Sequence, residues 1–318
     1  MKHSSEKVVI VGTGNVGSMT AYTLLNQGLC SQIVLIDRNQ DKAMGEAMDM
    51  QHASHFMSRR VDVKSGDYSE CSDADIVIIT ASAPMKKTDN DRMAFLGSSK
   101  AIMKSILTPI MDSGFNGILI IISNPVDVMA YYAWKLTGLP KNHVIGTGTT
   151  LDTIRLEYAL GQAFGVDSKS VSSLIIGEHG RSSVPVFSTT NIGGVLLDDM
   201  MEKYQDELGG KTKQDILDYT ISSGFEIVSH KGNTCYGIAA SVSSIVKSIF
   251  FDERRVLPVT TFLDGEYGLK DVAVSLPCVI GADGIEKTIA PKLTKEEEEA
   301  FLTSCKTVAS YYPSLDED

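Results

Sequence analysis

The stretch Val8-Val9-Ile10-Val11-Gly12-Thr13-Gly14-Asn15-Val16-Gly17 decides the fold. A short apolar run meets three glycines spaced G-x-G-x-x-G, and a helical pattern continues to about Asn26. Alone the glycine pattern says little; between a strand and a helix it acquires a mechanism. Gly12 permits a tight turn. Gly14 lets a pyrophosphate approach the backbone, where a helix N-terminus offers unpaired N–H groups, and Gly17 allows close helix–strand packing. A second strand, Ile33 to Ile36, ends in Asp37, twenty residues beyond Gly17. A carboxylate there accepts hydrogen bonds from a ribose diol and repels a 2′-phosphate, which favours NAD over NADP. The alternative is a glycine turn that binds nothing, with strand, helix and Asp37 in register by accident.

The same alternation continues outward. Gln40 to about Met57 reads as a helix, followed by strands near Val61–Val63 and at Ile76–Ile79. A long helix runs from about Met93 to Met111, then a strand at Ile118–Ile122, a helix from Pro125 to about Leu136, and a short strand at Val144–Ile145. Strands alternating with helices imply right-handed crossovers and a parallel sheet. The strands are apolar throughout, as expected when helices cover both faces. Beyond the turn Gly146-Thr147-Gly148-Thr149 the pattern changes. A helix from Leu151 to about Phe164 leads to a strand at Val171–Ile176 and an extended piece at Val184–Val186. A helix-rich stretch from about Lys213 to Phe250 precedes strands at Val256–Phe262, near Leu269 and at Val272–Ile280. A charged helix starts near Thr294 and ends before Pro313, with Thr294 and Glu297 in capping-box spacing. The expected architecture is α/β: a doubly wound parallel-sheet (Rossmann) domain at 1–147, then a mixed α+β substrate domain at 148–318.

The 318 residues, 43% hydrophobic and 22% charged, suit a soluble globular chain with a sizeable core. A net charge of −11 argues against non-specific binding to nucleic acid or an anionic membrane. No apolar stretch approaches the roughly 20 residues that span a bilayer. The polar N-terminus is not read as a signal peptide. Five widely spaced cysteines show no metal-ligand pattern, so no metal site is expected. They are read as reduced thiols of a cytoplasmic protein.

The polar residues at the expected sheet edge have two readings each. His179 lies in Gly177-Glu178-His179-Gly180, a glycine turn after a strand; it is either a base near neutrality open to a ligand or a structural histidine. Asp152 and Arg155, three apart, share a helix face. They form a plain surface ion pair, or Asp152 orients His179 and Arg155 clamps a carboxylate. Arg92 ends the polar segment Ser82 to Asp91, which follows the strand ending near Thr80; the segment is a lid carrying a functional arginine or a solvated loop. Asn124, in Ser123-Asn124-Pro125, faces a nicotinamide ribose or substrate, or caps a helix. Thr80, Ala81, Ser123 and Asn124 join Gly12, Gly14, Asn15, Val16, Gly17 and Asp37 as expected cofactor contacts.

With these residues in hand, the chain resembles the L-lactate and malate dehydrogenase family over nearly its whole length. The matching stretches are Val11–Gly17, Ile36-Asp37, Ser123–Asp127, Gly146–Arg155, Ile176–Gly180 and Lys231–Gly237. The resemblance implies an NAD-dependent 2-hydroxy-acid dehydrogenase with His179 as acid/base and Asp152 as its partner. It further implies that Arg155 holds the substrate carboxylate, that Arg92 polarises the carbonyl, and that Asn124 positions the nicotinamide side. Thr234 then lines the substrate pocket and Asp37 holds the adenosine ribose.

Substrate choice rests on Met85. Where the malate branch has an arginine and the lactate branch a glutamine, this chain has a thioether with no charge for a second carboxylate. Pyruvate/lactate is the first expectation, 2-hydroxyisocaproate-type acids the second, and malate the third, since Lys86 lies next to Met85. Rival classes are a non-catalytic nucleotide-binding or redox-sensing protein and a relative acting on phosphorylated sugars. The former is disfavoured by the presence of His179, Arg92 and Arg155, and the latter by the absence of a metal and phosphate cluster. The family's bisphosphate-activated members carry a basic residue and a histidine where this chain has Glu157 and Ser172, so activation by fructose 1,6-bisphosphate is not expected. Arg181 replaces the aspartate often found after His-Gly. The resemblance also implies a homo-oligomer, a tetramer before a dimer, with Met44, Met48 and Met50 in the interface or the core.

Overall fold

The computed structural model describes residues 5–82 and 92–316; side chains at 92–95 and 316 are outside the described set. The first half contains β1 (Lys7–Val11), α1 (Asn15–Gln27), β2 (Gln32–Ile36), α2 (Gln40–Ser54), β3 (Asp62–Ser65), β4 (Ile76–Ile79), α3 (Arg92–Asp112), β5 (Ile118–Ile121), α4 (Val126–Thr137) and β6 (Val144–Gly146). These six strands pair in parallel in the order β3-β2-β1-β4-β5-β6. The order reverses between β1 and β4, which opens a crevice at the carboxyl ends of those strands.

The unbroken apolar strands follow from the two-residue period of a strand. Val9, Val11, Val77, Ile79, Leu119 and Ile121 pack into a core on one face of the sheet. Their neighbours Val8, Ile10, Ile76, Ile78, Ile118 and Ile120 pack into a second core on the other face. Both faces are dry along these positions, so apolar residues run on without alternation; at the edge of β1 the buried Lys7 is paired with Glu70 and Asp73.

The second half adds α5 (Thr150–Phe164), β7 (Val171–Ser172), β8 (Ile175–Ile176), β9 (Val184–Pro185), β10 (Asn191–Ile192), β11 (Val195–Leu196), α6 (Leu197–Lys203), α7 (Lys213–Lys231), α8 (Tyr236–Phe250), β12 (Arg255–Asp264), β13 (Lys270–Gly281), β14 (Gly284–Thr288), α9 (Lys295–Ala309) and α10 (Pro313–Asp316). The large sheet continues through this half: β12 pairs antiparallel with β6 at Thr260 and Gly146, and β13 and β14 extend it to nine strands. A third, smaller core joins Leu156 and Leu160 of α5 to Val171, Ile175, Ile192 and Ile216.

Several details differ from the sequence reading. The single strand expected at Val171–Ile176 is two strands in two small sheets, β7 with β10 and β8 with β9. At the break, α5 side chains replace ladder partners: the Ser173 amide donates to Glu157 (3.4 Å) and the Ile175 amide to the Thr153 hydroxyl (3.0 Å). The helix-rich stretch is two helices, because Gly232 ends α7 at φ +85°, a conformation that suits glycine. The β10–β11 hairpin, β14 and α10 were not anticipated. The capping box of α9 forms as read: Thr294 accepts from the Glu297 amide, and the Glu297 carboxylate accepts from the Thr294 amide at 3.0 Å. Of the three methionines of α2, Met50 is buried, whereas Met44 and Met48 are exposed.

Candidate active site

The glycine turn after β1 is built as the spacing demands. Gly12 has φ +103°, and a Cβ there would lie 2.7 Å from the Ala81 backbone nitrogen. A Cβ on Gly17 would lie 1.8 Å from the Gly12 carbonyl oxygen, so α1 sits against the turn with no room for any other residue. A Cβ on Gly14 would meet nothing within 4 Å. That open position caps α1, whose first turn carries no side-chain cap. The backbone thus offers free N–H donors beside an open approach, which suits a pyrophosphate.

Asp37 closes the turn from the second strand. One carboxylate oxygen accepts from the Thr13 amide (2.7 Å) and hydroxyl (3.0 Å), the other from the Asn39 amide (2.9 Å). Burial works against its charge, but these hydrogen bonds and nearby Lys42 hold the carboxyl below the usual aspartate range. A carboxylate accepts about four hydrogen bonds, so Asp37 keeps capacity for a ribose hydroxyl while anchoring the turn.

A cavity of ≈ 210 Å³ opens at the carboxyl ends of β4 and β5. Val16, Thr80, Ser123, Asn124, Arg155, His179 and Thr234 line it together with Thr147, Leu151 and Ile238. Seven residues singled out from widely separated parts of the sequence therefore meet around one space. Gly14 and Asn15 line a wider neighbouring groove, which Lys231, Cys235 and Tyr236 also border. Thr80 donates to the Gly12 carbonyl (2.8 Å) and Ser123 to the Ala81 carbonyl (2.5 Å), so both hydroxyls tie the strand ends together. Ala81 takes part through its backbone. Met85 and Lys86 lie outside the described residues; Arg92 begins α3, and its side chain is likewise outside them.

His179 follows β8, and its ring is 30% exposed, toward the cavity. Its Nδ1 lies 2.6 Å from an Asp152 oxygen. The other Asp152 oxygen accepts from Arg155 Nη1 at 3.0 Å. With Nδ1 held by a carboxylate, Nε2 is the ring nitrogen left for proton exchange. Burial disfavours the imidazolium, but the charge and hydrogen bond of Asp152 outweigh it, with Asp127 acting in the same direction and Arg155 against; the His179 pKa is raised. Asp152 is lowered: burial opposes its charge, while His179 and Arg155 favour it. The open readings of the sequence thus narrow, since Asp152 and Arg155 share more than a helix face: Asp152 links Arg155 to a histidine from a different element.

Asp127 carries no role in the sequence reading, although it stands in the quoted stretch Ser123–Asp127. It is 2% exposed, accepts from the His179 amide at 2.7 Å and accepts from the Thr260 hydroxyl at 2.7 Å. The only signal was an acidic residue in the first turn of an otherwise apolar helix. Thr147, Leu151 and Ile238 carried none, because their side-chain types are ordinary and only packing brings them to the cavity. The five cysteines are free and buried, and among the described residues no group of three or more His, Cys, Asp or Glu is placed to hold a metal. No described helix is long and apolar enough to cross a membrane.

Residues 6–146 match the lactate/malate dehydrogenase NAD-binding domain, and residues 149–311 match the α/β C-terminal domain of the same family. The chain belongs to the lactate/malate dehydrogenase family. Within this family it is 42% identical over 315 residues to L-lactate dehydrogenase 3 of Bacillus cereus, covering 99% of each chain. It is 42% identical over 309 residues to L-lactate dehydrogenase 1 of Bifidobacterium longum, covering 97% of this chain and 98% of that one. Among solved structures, MGS-M5, a lactate dehydrogenase from a Medee basin deep-sea metagenome library, superposes with a TM-score of 0.93 at 38% identity, covering 98% of this chain and 99% of that one. The minor L-lactate dehydrogenase of Enterococcus mundtii in its ligands-bound form gives 0.91 at 39% identity, covering 98% of each. The glycine turn thus belongs to the family's NAD-binding domain, and the His179 turn to its C-terminal domain.

Proposed function

We propose that this chain is an NAD-dependent L-lactate dehydrogenase that interconverts pyruvate and L-lactate, with His179 as the acid/base. The observation that carries the reading is the Arg155–Asp152–His179 chain facing a cavity bounded by the nucleotide-binding strand ends. The relatives named L-lactate dehydrogenase support the choice of substrate. The glycine turn, the uncapped start of α1 and Asp37 fit NAD, and bound there it supplies a hydride acceptor or donor.

The protein's own groups handle the rest. Arg155 pairs with the substrate carboxylate, Thr234 bounds the space for its short side chain, and Asn124 positions the nicotinamide side. In the reducing direction the His179 imidazolium delivers a proton from Nε2 to the carbonyl oxygen; in the oxidising direction the neutral ring removes it from the hydroxyl. Asp152 holds the ring and stabilises its charged form. Arg92 is assigned to polarise the carbonyl, and Met85, a thioether without charge, leaves a second carboxylate no partner. The reading also assigns a cytoplasmic homotetramer; the exposed Met44 and Met48 of α2 supply apolar surface for subunit contact.

The test is an NADH-oxidation panel with pyruvate, oxaloacetate, 2-oxoisocaproate and phenylpyruvate. The highest kcat/KM is expected for pyruvate. A preference for 2-oxoisocaproate would redirect the reading to bulkier 2-hydroxy acids, and a preference for oxaloacetate would refute the role given to Met85. Light scattering of the purified protein tests the tetramer.

A further inference from the structure

Asp127 is a carboxylate buried at the junction of three elements. It stands in the first turn of α4 and accepts from the His179 amide (2.7 Å) and from the hydroxyl of Thr260 (2.7 Å). Thr260 is fully buried on β12, where its strand meets Gly146 of β6. The turn that carries His179 is therefore fastened to the nucleotide-binding half through its backbone, independently of the Asp152 contact with its ring.

The hydrogen bonds alone do not call for a charge. An asparagine could accept from the His179 amide through its oxygen and donate to Thr260 through its nitrogen, because a hydroxyl serves as donor or acceptor. Burying an ionised carboxylate is costly, and burial raises this one to about 6. Its charge must then be considered against the groups that face it. Those are His179, whose imidazolium attracts it, the neighbouring Glu178, which repels it, and Cys305 and Tyr312 near the C-terminal end. Burial raises both the Cys305 thiol, to about 12, and the Tyr312 hydroxyl, so both are neutral and His179 is the nearby cation.

We propose that Asp127 is a positioning residue for the reaction: it clamps the His179 turn to α4 and β12, and its buried charge keeps the imidazolium form of His179 available. The proposal rests on the reading of His179 as acid/base. Two carboxylates then serve one histidine, Asp152 through the ring and Asp127 through the backbone, while the charge of Arg155 disfavours the imidazolium.

Asp127→Asn separates charge from geometry. In the full-length enzyme, pyruvate reduction is measured from pH 5 to 9.5. The alkaline limb of kcat/KM is expected to move to lower pH, with the acid plateau within about threefold of wild type and the KM for pyruvate unchanged there. A second readout does not depend on turnover. With ring-labelled histidine, and His179→Asn to assign the signal, the His179 titration is expected to move to lower pH in Asp127→Asn. In the unaltered enzyme, the His179 amide signal should follow a titration at the pH where Asp127 protonates, which keeps the clamp testable if the variant does not fold. A uniform rate loss with both profiles unmoved, or a His179 amide insensitive to that titration, overturns the proposal. If the unaltered enzyme turns over no 2-oxo acid, the proposed function fails while the two titrations still decide the link between Asp127 and His179.

Discussion

Replacing Asp152 with asparagine should slow pyruvate reduction most at alkaline pH. Asp152 accepts on both sides: His179 Nδ1 at 2.6 Å and Arg155 Nη1 at 3.0 Å. An amide has one oxygen, so it can serve only one of these donors. If the oxygen faces His179, Arg155 meets an N–H group and the hold on the substrate carboxylate loosens. If the nitrogen faces His179, the ring is driven toward the wrong tautomer. In either case the imidazolium loses a charged partner. A hydrogen bond between charged groups is worth about 1.5–3 kcal/mol, which corresponds to roughly 10- to 150-fold in rate. Asp152 is the main group raising the His179 pKa, so without it the imidazolium is lost at lower pH. The reduction rate should therefore fall more at pH 8 than at pH 6, and acidification should partly restore it. Steady-state kinetics of NADH oxidation across that range checks this, with kcat and KM separated. An equal loss at every pH, or no loss, would refute a role for Asp152 in supporting the charged ring.

Three further outcomes follow from the geometry. Gly17→Ala should destabilise the fold by about 1–3 kcal/mol or more, because its Cβ lies 1.8 Å from the Gly12 carbonyl oxygen, whereas Gly14→Ala should leave the melting temperature unchanged and weaken NADH binding; calorimetry and a fluorescence titration read the two effects separately. Asp127, raised by burial from 3.8 to about 6, takes up its proton more readily when folded, so its contribution to stability is present at acid pH and is lost as pH rises through 6. That loss amounts to about 3 kcal/mol from below pH 3.8 to above pH 6, roughly half of it above pH 5; denaturant unfolding of Asp127→Asn against the unaltered protein should show the variant relatively more stable at pH 7.5 than at pH 5, and an equal difference at both would contradict the burial argument. Fructose 1,6-bisphosphate should leave the KM for pyruvate unchanged, since Glu157 and the exposed Ser172 offer no positive charge; a large fall in KM would show that another basic group receives the phosphates.

Much of the site was readable because its chemistry is carried by unusual residue types in unusual places. Glycines in a strand–helix turn, an aspartate ending an apolar strand and a histidine between glycines each break a local pattern, and a break in pattern is visible without coordinates. Elements were legible where a continuous apolar run or a capping box marked them, as in β1, β4 and α9. Two-residue strands such as β7 and β8 were not, because side chains of α5 interrupt their ladder and those side chains arrive from elsewhere in the chain.

The local order of residues settled that β1 leads into a nucleotide-binding turn and that His179, Asp152 and Arg155 are chemically able to handle a carboxylate and a proton. Spacing could equally have left Asp152 and Arg155 as a surface pair. Only the folded arrangement brings the β8 turn against α5, so that one carboxylate touches both a ring and a guanidinium. Only packing reveals that Asp127, silent in the chain, accepts from the His179 backbone, and that β12 joins β6 to carry the sheet into the second half. The physical reason is the same in each case: periodicity and turn chemistry act between neighbours along the chain, whereas burial and charge depend on groups that only the tertiary fold brings within a few ångströms.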